Sequence, residues 1–278
     1  MSFQYSRANS IQDANQQFNE LLKNHHSPIY YSGGTEILTL ERLDLLRPTA
    51  VIDIKAIPAC WEYHFHDHQY LVIGSCLPLT TIENKNDFPL LTTVSKEVAD
   101  RTARNKITIG GNICGDIFYR ESILPFLLAN SHFMIANGSG TRVESIHDVF
   151  NQHIRLQEGE FLVQIITEKK YLLAPFYTAK IRQQWKTGYP LITVAALKVD
   201  DELRFAFSGL CPFPFRSSKM ESVLNLPSLS YEERIERSFR HLPTPILHDV
   251  EGSAKYRMFV LKQILMDSLY ALEGEESG

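Results

Sequence analysis

The chain has 278 residues, of which 44% are hydrophobic and 22% are charged, and its formal net charge at pH 7 is -4. This composition is typical of a globular protein with ample apolar material for a core, and the length suggests one to three domains. The lack of a long basic run argues against a nucleic-acid partner. No apolar run approaches the ~18 residues of a membrane span, and no apolar secretory segment is present near the first Met.

The four cysteines, Cys60, Cys76, Cys114 and Cys211, are widely spaced and form no CxxC motif. Iron–sulfur clusters and zinc ribbons are held by closely spaced thiolates, so we expect neither in this chain, and no metal site is predicted. Buried, reduced thiols in a cytoplasmic protein are the expected use of these residues.

The N-terminal part is predicted to form an α/β unit. Apolar residues on one face predict a helix over residues 11–24, with Ser10 as its N-cap. A strand at Ile29–Ser32, a helix over 36–46 and a strand at Ala50–Ile54 follow. This order has the size of a parallel crossover unit.

A hairpin is predicted next, with strands at Trp61–Phe65 and Gln69–Ile73. His64, His66 and His68 alternate along it, and a metal could use a face that they share. His68 falls where the hairpin must turn, which breaks that geometry. A solvated hairpin tip is therefore favoured over a metal site.

Short helices are predicted over 77–82 and 88–98, and another from Ile123, with Pro125 in its first turn. Arg101 and Arg104 lie three residues apart, so they either face a phosphate or form surface charge, and surface charge is favoured. Strands are predicted over 132–136 and 161–167.

A shift in composition near Glu168 marks the predicted domain boundary. The predicted domains are residues 1–168, with subdomains of about 1–54 and 55–168, and residues 169–278. The second domain is predicted to hold three strands and then three helices, an α+β arrangement. The strands are Tyr171–Gln183, Pro190–Val199 and Glu202–Leu210, with a turn at Asp200-Asp201; an extended connector at Pro212–Arg216 and helices over 217–225, 231–238 and 253–273 follow.

Two glycine pairs form the candidate functional feature. The first lies in Tyr30-Tyr31-Ser32-Gly33-Gly34-Thr35-Glu36-Ile37, where a strand gives way to a helix. Glycine lets the backbone adopt positive φ and lets a ligand approach closely. Thr35 is the predicted N-cap of a helix whose first N–H groups are unpaired. Alone, such a turn is more often plain turn chemistry than an anion site. The second pair, in Thr108-Ile109-Gly110-Gly111-Asn112-Ile113, also precedes a helical pattern, and two such loops favour one ligand held by both.

The common catalytic motifs are absent from the sequence. Neither glycine loop continues into the Lys-Ser/Thr of a P-loop, and neither matches GxGxxG. There is no GxSxG elbow, no HExxH and no paired-acid signature. The chain therefore lacks obvious side-chain machinery for hydrolysis but has backbone groups suited to a diphosphate. This combination fits a protein whose chemistry belongs to a bound nucleotide cofactor.

Several of these segments resemble a known family, the flavin (medium) subunits of molybdenum hydroxylases such as xanthine dehydrogenase and carbon monoxide dehydrogenase. Ser32–Glu36 is similar to the family's first FAD-binding loop, and Arg104–Ile113 is similar to the second. Three further matches follow in the family's order, at Gly159–Leu162, Tyr189–Ala196 and Ser253–Arg257. Together the five motifs span nearly the whole chain.

The resemblance implies an α+β protein with a two-subdomain FAD-binding fold of the PCMH/vanillyl-alcohol-oxidase type. A C-terminal domain with a three-stranded antiparallel sheet and three helices follows it. The implied cofactor is FAD, and backbone amides and helix N-termini would bind most of its diphosphate. The implied FAD-binding residues are Tyr30–Ile37, Thr108, Ile109, Gly110, Gly111 and Asn112, together with Glu121, Leu162 and Lys180, and no catalytic residue is assigned.

The resemblance also implies a function. The chain would be an oxidoreductase subunit of a xanthine dehydrogenase-like complex in the cytoplasm. It would pass electrons from a 2Fe-2S small subunit to NAD⁺ or another acceptor, while a molybdopterin-binding large subunit oxidises the substrate, for which a purine is favoured. Two segments depart from the family pattern, Cys114–Glu121 and Trp185–Gly188. The alternatives are a structural or assembly protein that has lost FAD and a stand-alone flavin oxidoreductase.

Overall fold

The structure is a computed structural model that describes residues 3–183 and 188–274. It divides into two compact units. The first unit contains Met1–Lys85, Arg101–Ile117 and Asn130–Lys169, and the second contains Asn86–Asp100, Phe118–Ala129 and Lys170–Gly278. Two segments before the predicted boundary at residue 168 thus pack with the second unit, and the division into sequence ranges stays a prediction. Within the described residues, no helix is both long and apolar enough to cross a bilayer.

The elements of the first half are β1 (Gln4–Arg7), α1 (Ile11–Lys23), β2 (Pro28–Tyr31), α2 (Thr35–Arg42), β3 (Ala50–Asp53), β4 (Tyr63–His66), β5 (Tyr70–Gly74), α3 (Leu79–Lys85), α4 (Pro89–Lys96), α5 (Arg101–Arg104), α6 (Ile109–Cys114), α7 (Leu124–Leu128) and β6 (His132–Asn137). Those of the second half are β7 (Gly140–Ser145), α8 (Ile146–Val149), β8 (Phe150–Asn151), β9 (His153–Ile154), β10 (Phe161–Glu168), α9 (Lys169–Leu172), β11 (Phe176–Arg182), β12 (Pro190–Val199), β13 (Glu202–Ser208), β14 (Phe215–Arg216), α10 (Ser218–Leu224), α11 (Tyr231–Ser238) and α12 (Ala254–Glu273).

The first unit begins with a parallel sheet in the order β1-β3-β2. The predicted α/β pattern of residues 11–54 is confirmed, and Ser10 caps α1 by accepting a hydrogen bond from the N–H of Asp13. Strand β1 was not predicted, because its four residues are mostly polar and exposed. Strand β3 lies between the other two and is fully buried, which explains its apolar character.

The rest of the first unit is built on an antiparallel sheet in the order β4-β5-β10-β6-β7. The predicted hairpin is present as β4 and β5, and Asp67 and His68 form its turn with positive φ values of 48° and 57°. Strand β10 lies at the centre of the sheet and is buried along most of its length. Within the part of the chain that the structure describes, no cluster of three or more His, Cys, Asp or Glu could hold a metal ion.

The second unit contains an antiparallel sheet in the order β11-β12-β13-β14, with helices α10 to α12. The predicted turn at Asp200-Asp201 is confirmed, since both residues have the positive φ that tight hairpins need. The predicted strand over 171–183 begins late, at Phe176, because Pro175 has no N–H to donate to a ladder. The predicted connector supplies a short fourth strand, β14. Apolar residues of α12 pack on the sheet in one core cluster.

Candidate functional site

The first glycine loop ends β2 and begins α2. Thr35 is the first helical residue, and the N-cap is Gly34, at φ +73° and ψ -2°. The prediction of Thr35 as the cap is wrong, because the chain needs a left-handed residue there, which glycine supplies without steric cost. Gly34 has no side chain with which to cap the helix. Among the described residues, the N–H groups of Thr35, Glu36 and Ile37 have no acceptor, so this helix end is open to an anion.

The two glycine loops lie against each other. A Cβ atom added to Gly33 would overlap the backbone carbonyl oxygen of Lys106 and lie 3.2 Å from the backbone nitrogen of Thr108. A Cβ on Gly34 would overlap the ring of Tyr31. Only glycine fits at both positions, and the first loop thus presents bare backbone beside the second. The structure brings together the two loops that the sequence singled out.

The side chain of Tyr30, at the start of the first loop, packs into the core of the first unit. Tyr30 packs its ring against Phe18 and Phe161, and its hydroxyl donates to the carbonyl oxygen of Gly159 over 3.0 Å. Burial raises the pKa of Tyr30, so the phenol stays neutral. Its side chain therefore serves the core of the first unit. Only the backbone of this residue is left for a ligand.

Lys55 places a positive charge at the same loop. Its Nζ donates to the carbonyl oxygen of Ser32 over 2.8 Å and pairs with Asp53 over 2.8 Å. The same Nζ lies 4.4 Å from the centre of the Tyr31 ring, a cation–π distance. Lys55 fixes both the backbone and the aromatic side chain of the loop. Its charge also favours an anion nearby.

The second glycine loop uses its own N–H groups. Thr108 caps α6, and its Oγ1 accepts a hydrogen bond from the N–H of Gly111 over 3.2 Å. The N–H groups of Ile109 and Gly110 donate to the carbonyl oxygens of Leu77 and Ser75 over 2.9 and 2.8 Å. The N–H of Asn112 donates to the Thr108 carbonyl. The open donors therefore lie in the first loop, and the second loop supports it.

Glu36 connects the first helix turn to the segment that departs from the family pattern. Its Oε1 accepts hydrogen bonds from the N–H groups of Asp116 and Ile117, over 2.6 and 3.1 Å. A Cβ on Gly115 would overlap the other carboxylate oxygen. Residues 115–117 are therefore held directly on the Glu36 side chain at the start of α2, which gives this unusual sequence a defined structural role.

Arg101 and Arg104 do not face an open anion site. Both pair with Glu83, whose side chain is only 4% exposed, and Arg104 is itself buried. Surface charge describes Arg101, whose side chain is 67% exposed, but neither alternative describes Arg104, which is buried against Glu83. A buried carboxylate next to an arginine is stable only when it is paired in this way.

The remaining predicted site residues lie in both units. Leu162 lies on β10 in the first unit and is buried, next to Val163, whose carbonyl accepts the N–H of Ser75. Glu121 and Lys180 lie in the second unit. That any of these three contacts the cofactor stays a prediction. The Trp185–Thr187 part of the second departure lies outside the described residues, as do residues 275–278 of the C-terminal tail.

Glu121 and Lys180 form a buried ion pair. The Nζ of Lys180 lies 2.7 Å from Oε2 of Glu121, and both side chains are 5% exposed. Thr193 donates to the other carboxylate oxygen over 2.6 Å. Burial raises the pKa of Glu121 and lowers that of Lys180, while each partner's charge opposes the shift of the other. The pair borders a cavity of about 280 Å³ lined by Thr93, Val94, Glu97, Thr178, Lys180 and Thr193.

Three residues that contact predicted site residues were not predicted from the motifs: Lys55 and Cys76 at the first loop, and Thr193 beside Glu121 in the second unit. Lys55 and Cys76 reach the first loop from 23 and 44 residues away along the chain, so no local spacing could reveal them. Thr193 lies inside Tyr189–Ala196, one of the five segments that resemble the family. A hydroxyl in an otherwise apolar, buried strand is a signal that could have identified it.

Comparisons with known proteins identify the family. The family described as the FAD binding domain in molybdopterin dehydrogenase matches residues 1–167. The glyceraldehyde dehydrogenase medium chain of Sulfolobus acidocaldarius is 23% identical over 95% of this chain and 96% of its own. The xanthine dehydrogenase FAD-binding subunit of Escherichia coli O157:H7 is 25% identical over 91% of this chain and 88% of its own.

Solved structures share the fold. A chain of carbon monoxide dehydrogenase from Hydrogenophaga pseudoflava superposes with a TM-score of 0.87 at 20% identity, covering 98% of both chains. A chain of quinoline 2-oxidoreductase from Pseudomonas putida gives a TM-score of 0.83 at 21% identity, over 99% of this chain and 98% of that one. The fold class that the resemblance implied is confirmed.

The matched family model, which covers more than half of the chain, defines a protein that binds a nucleotide cofactor. The chain belongs to the family of FAD-binding medium subunits of molybdenum hydroxylases, and FAD is its cofactor. The resemblance seen in the sequence is thereby confirmed.

Proposed function

We propose that the diphosphate of FAD binds at the N-terminus of α2, on the backbone of residues 33–37. The open N–H groups of Thr35, Glu36 and Ile37 carry this proposal, because they lie at a helix N-terminus, which favours an anion, and have no acceptor among the described residues. Gly33 lets the loop pack against the backbone of Lys106, and Gly34 lets it pack against the Tyr31 ring. Lys55 adds positive charge at the Ser32 carbonyl.

The other predicted residues have supporting parts in this proposal. The second loop lies against Gly33 at Thr108. The N–H groups of Ile109, Gly110 and Asn112 are occupied by backbone carbonyl oxygens, so they stabilise the loop and are not open to a ligand. Leu162 would offer the flavin an apolar side chain. Glu121 and Lys180 would offer a buried ion pair, whose carboxylate also accepts a hydrogen bond from the Thr193 hydroxyl. These last assignments rest on the family resemblance.

We further propose that the chain is the electron-transfer subunit of a complex. Bound FAD supplies chemistry that accepts electrons singly and releases them in pairs. A 2Fe-2S small subunit is the proposed electron source, because the four cysteines of this chain are widely spaced in the sequence and form no CxxC motif. NAD⁺ is the proposed acceptor. Cysteines that form no disulfide among the described residues also support a cytoplasmic, reducing setting.

The substrate is proposed to be oxidised on a molybdopterin-binding large subunit. A purine of the xanthine type is one candidate. The related chains come from enzymes named for glyceraldehyde, nicotine, nicotinate, carbon monoxide and xanthine, at similar identities of 22–27%. Because the sequence contains none of the common catalytic motifs, the partner is proposed to decide the substrate.

Ligand binding to the purified full chain tests the proposed site. We expect a yellow protein that releases FAD on denaturation and takes it up again as the apoprotein. ADP, which carries a diphosphate, should compete with FAD, while riboflavin, which has no phosphate, should not at equal concentration. A colourless chain that cannot be reconstituted would support the structural-protein alternative and refute the proposal.

Electron transfer is tested on the complex purified from its native source. We expect a molybdopterin-containing chain and a cysteine-rich 2Fe-2S chain to co-purify, and NADH to bleach the flavin band. If the isolated chain oxidises a small substrate without partners, it is a stand-alone flavin oxidoreductase. If NADH leaves the flavin oxidised, NAD⁺ is not the acceptor.

A further inference from the structure

Residues 75–79 support both glycine loops at once. The carbonyl oxygens of Ser75 and Leu77 accept the N–H groups of Gly110 and Ile109, and the N–H of Leu79 donates to the carbonyl of Ile107 over 2.9 Å. A Cβ on Gly110 would lie 2.8 Å from the Ser75 carbonyl oxygen. The second loop is therefore fixed to this segment by its backbone.

Cys76, in the middle of the same segment, contacts the first loop. Its Sγ accepts a hydrogen bond from the hydroxyl of Ser32 over 3.2 Å. Ser32 is the residue before the glycine pair, and its carbonyl is the one that Lys55 holds. The Cys76 thiol is thus a link between the two loops of the FAD site.

A second thiol lies next to Cys76. The N–H of Cys76 donates to the carbonyl oxygen of Cys60 over 2.8 Å, so the two backbones are neighbours. Both cysteines are free, fully buried and members of one core cluster. Each thiol also affects the ionisation of the other, so that the pKa of Cys60 is raised and that of Cys76 is lowered.

The surroundings of Cys76 favour its thiolate over that of Cys60. The Cys60 thiol is the largest influence that lowers the pKa of Cys76. The Ser32 hydroxyl and the positive charge of Lys55 lower this pKa further, while burial raises it. The thiolate is the reactive form of cysteine. Of the two thiols, Cys76 therefore has the more stabilised thiolate.

We propose that Cys60 and Cys76 form a disulfide under oxidation by hydrogen peroxide, and that this bond releases Ser32 and weakens FAD binding. The inference rests on the proposed FAD site. The Cys76 sulfur attacks a peroxide oxygen, the O–O bond breaks, and one water leaves a sulfenic acid on Cys76. The Cys60 sulfur then attacks the Cys76 sulfur, the S–O bond breaks, and a second water leaves. Two thiols lose two electrons, and one peroxide becomes two waters.

The effect on FAD binding follows from the lost contact. A disulfide sulfur turned toward Cys60 no longer accepts the Ser32 hydroxyl, so Ser32 loses its contact with Cys76 and keeps the contact of its carbonyl with Lys55. Loss of one hydrogen bond of this kind corresponds to about threefold to tenfold weaker binding. Reduction of the disulfide restores the contact.

Oxidation of the full chain with hydrogen peroxide, in the FAD-free form, tests the proposal. Peptide mapping under non-reducing conditions should find Cys60 linked to Cys76. The dissociation constant for FAD should rise by about threefold to tenfold, hydrogen exchange of residues 30–37 should become faster, and dithiothreitol should reverse both. Cys60→Ala should bind FAD like the wild type and not respond to peroxide.

Cys211→Ala is the matched control, because Cys211 is also a buried free thiol but belongs to the second unit. It should respond to peroxide like the wild type. Unlinked Cys60 and Cys76 after oxidation would overturn the proposal, as would a disulfide that leaves hydrogen exchange of residues 30–37 unchanged. If the reduced chain binds no FAD, the proposed site fails, while peptide mapping and hydrogen exchange still decide this inference.

Discussion

Gly33→Ala is the sharpest test of the contact between the two glycine loops. The added methyl group would overlap the backbone carbonyl oxygen of Lys106 and lie 3.2 Å from the Thr108 nitrogen. Both neighbours are backbone atoms of the capped second loop, so they cannot rotate away as a side chain would. Gly33 does not have the positive φ of Gly34, and the cost of the substitution is therefore purely one of space.

The size of the effect follows from overpacking. Inserting a methyl group into a packed region costs about 1–3 kcal/mol. If FAD requires the loops in contact, this cost appears as a dissociation constant raised by about fivefold to a hundredfold. The assay is a titration of the apoprotein with FAD, followed by the quenching of flavin fluorescence, together with thermal unfolding of both forms.

Gly138→Ala is the matched control. Gly138 is also a loop glycine of the first unit without positive φ, but its added Cβ would meet only Asn19, at 3.9 Å. This substitution should leave FAD affinity unchanged and stabilise the fold by about 0.4–1 kcal/mol, because alanine restricts the unfolded chain. If Gly33→Ala binds FAD within twofold of the wild type, the loop contact does not shape the site.

Three further substitutions test other contacts. Glu121→Gln should destabilise the protein by about 3–5 kcal/mol, since it leaves the Lys180 ammonium buried without its counterion. Glu236→Gln is the control: it removes a carboxylate from an exposed ion pair and should leave the melting temperature unchanged. Glu36→Ala should speed hydrogen exchange at residues 116 and 117 by about tenfold or more, and unchanged exchange would contradict the contact. Asp53 has a lowered pKa, because hydrogen bonds from Lys55 and Tyr5 outweigh the opposing effect of burial. Its contribution to stability is therefore complete above the ordinary pKa of 3.8 and is lost as the pH falls below that value. Asp53→Asn should make the free energy of urea unfolding less dependent on pH in that acidic range, and an equally steep loss in the variant would refute this assignment.

Local patterns in the sequence determined the secondary structure well. Helix α1 and its Ser10 cap, the hairpin β4–β5 and the strand β12 were predicted within a residue or two, because each is set by apolar periodicity or by a turn that its own residues form. The misses have local physical causes. The polar β1 becomes a strand only because the buried β3 pairs with it, and β14 only because β13 offers an open edge.

The glycine pairs, and with them the family and its cofactor, were also visible in the sequence. What the sequence could not determine is which loop carries the open donors. Both loops show a glycine pair before a helix, yet Thr108 caps α6 with its own side chain, while Gly34 leaves the start of α2 uncapped. That difference depends on backbone dihedral angles and on the hydrogen bonds to Ser75 and Leu77.

The tertiary structure alone placed Lys55 and Cys76 at the first loop and paired Lys180 with Glu121. These residues are separated from their partners by 23, 44 and 59 positions. A contact over such a distance leaves no periodic or local signal, because it arises only when the chain folds and distant segments pack together. The sequence alone therefore determined the family, the cofactor and the loops. The folded chain decided which atoms of those loops are free to bind and which residues hold them in place.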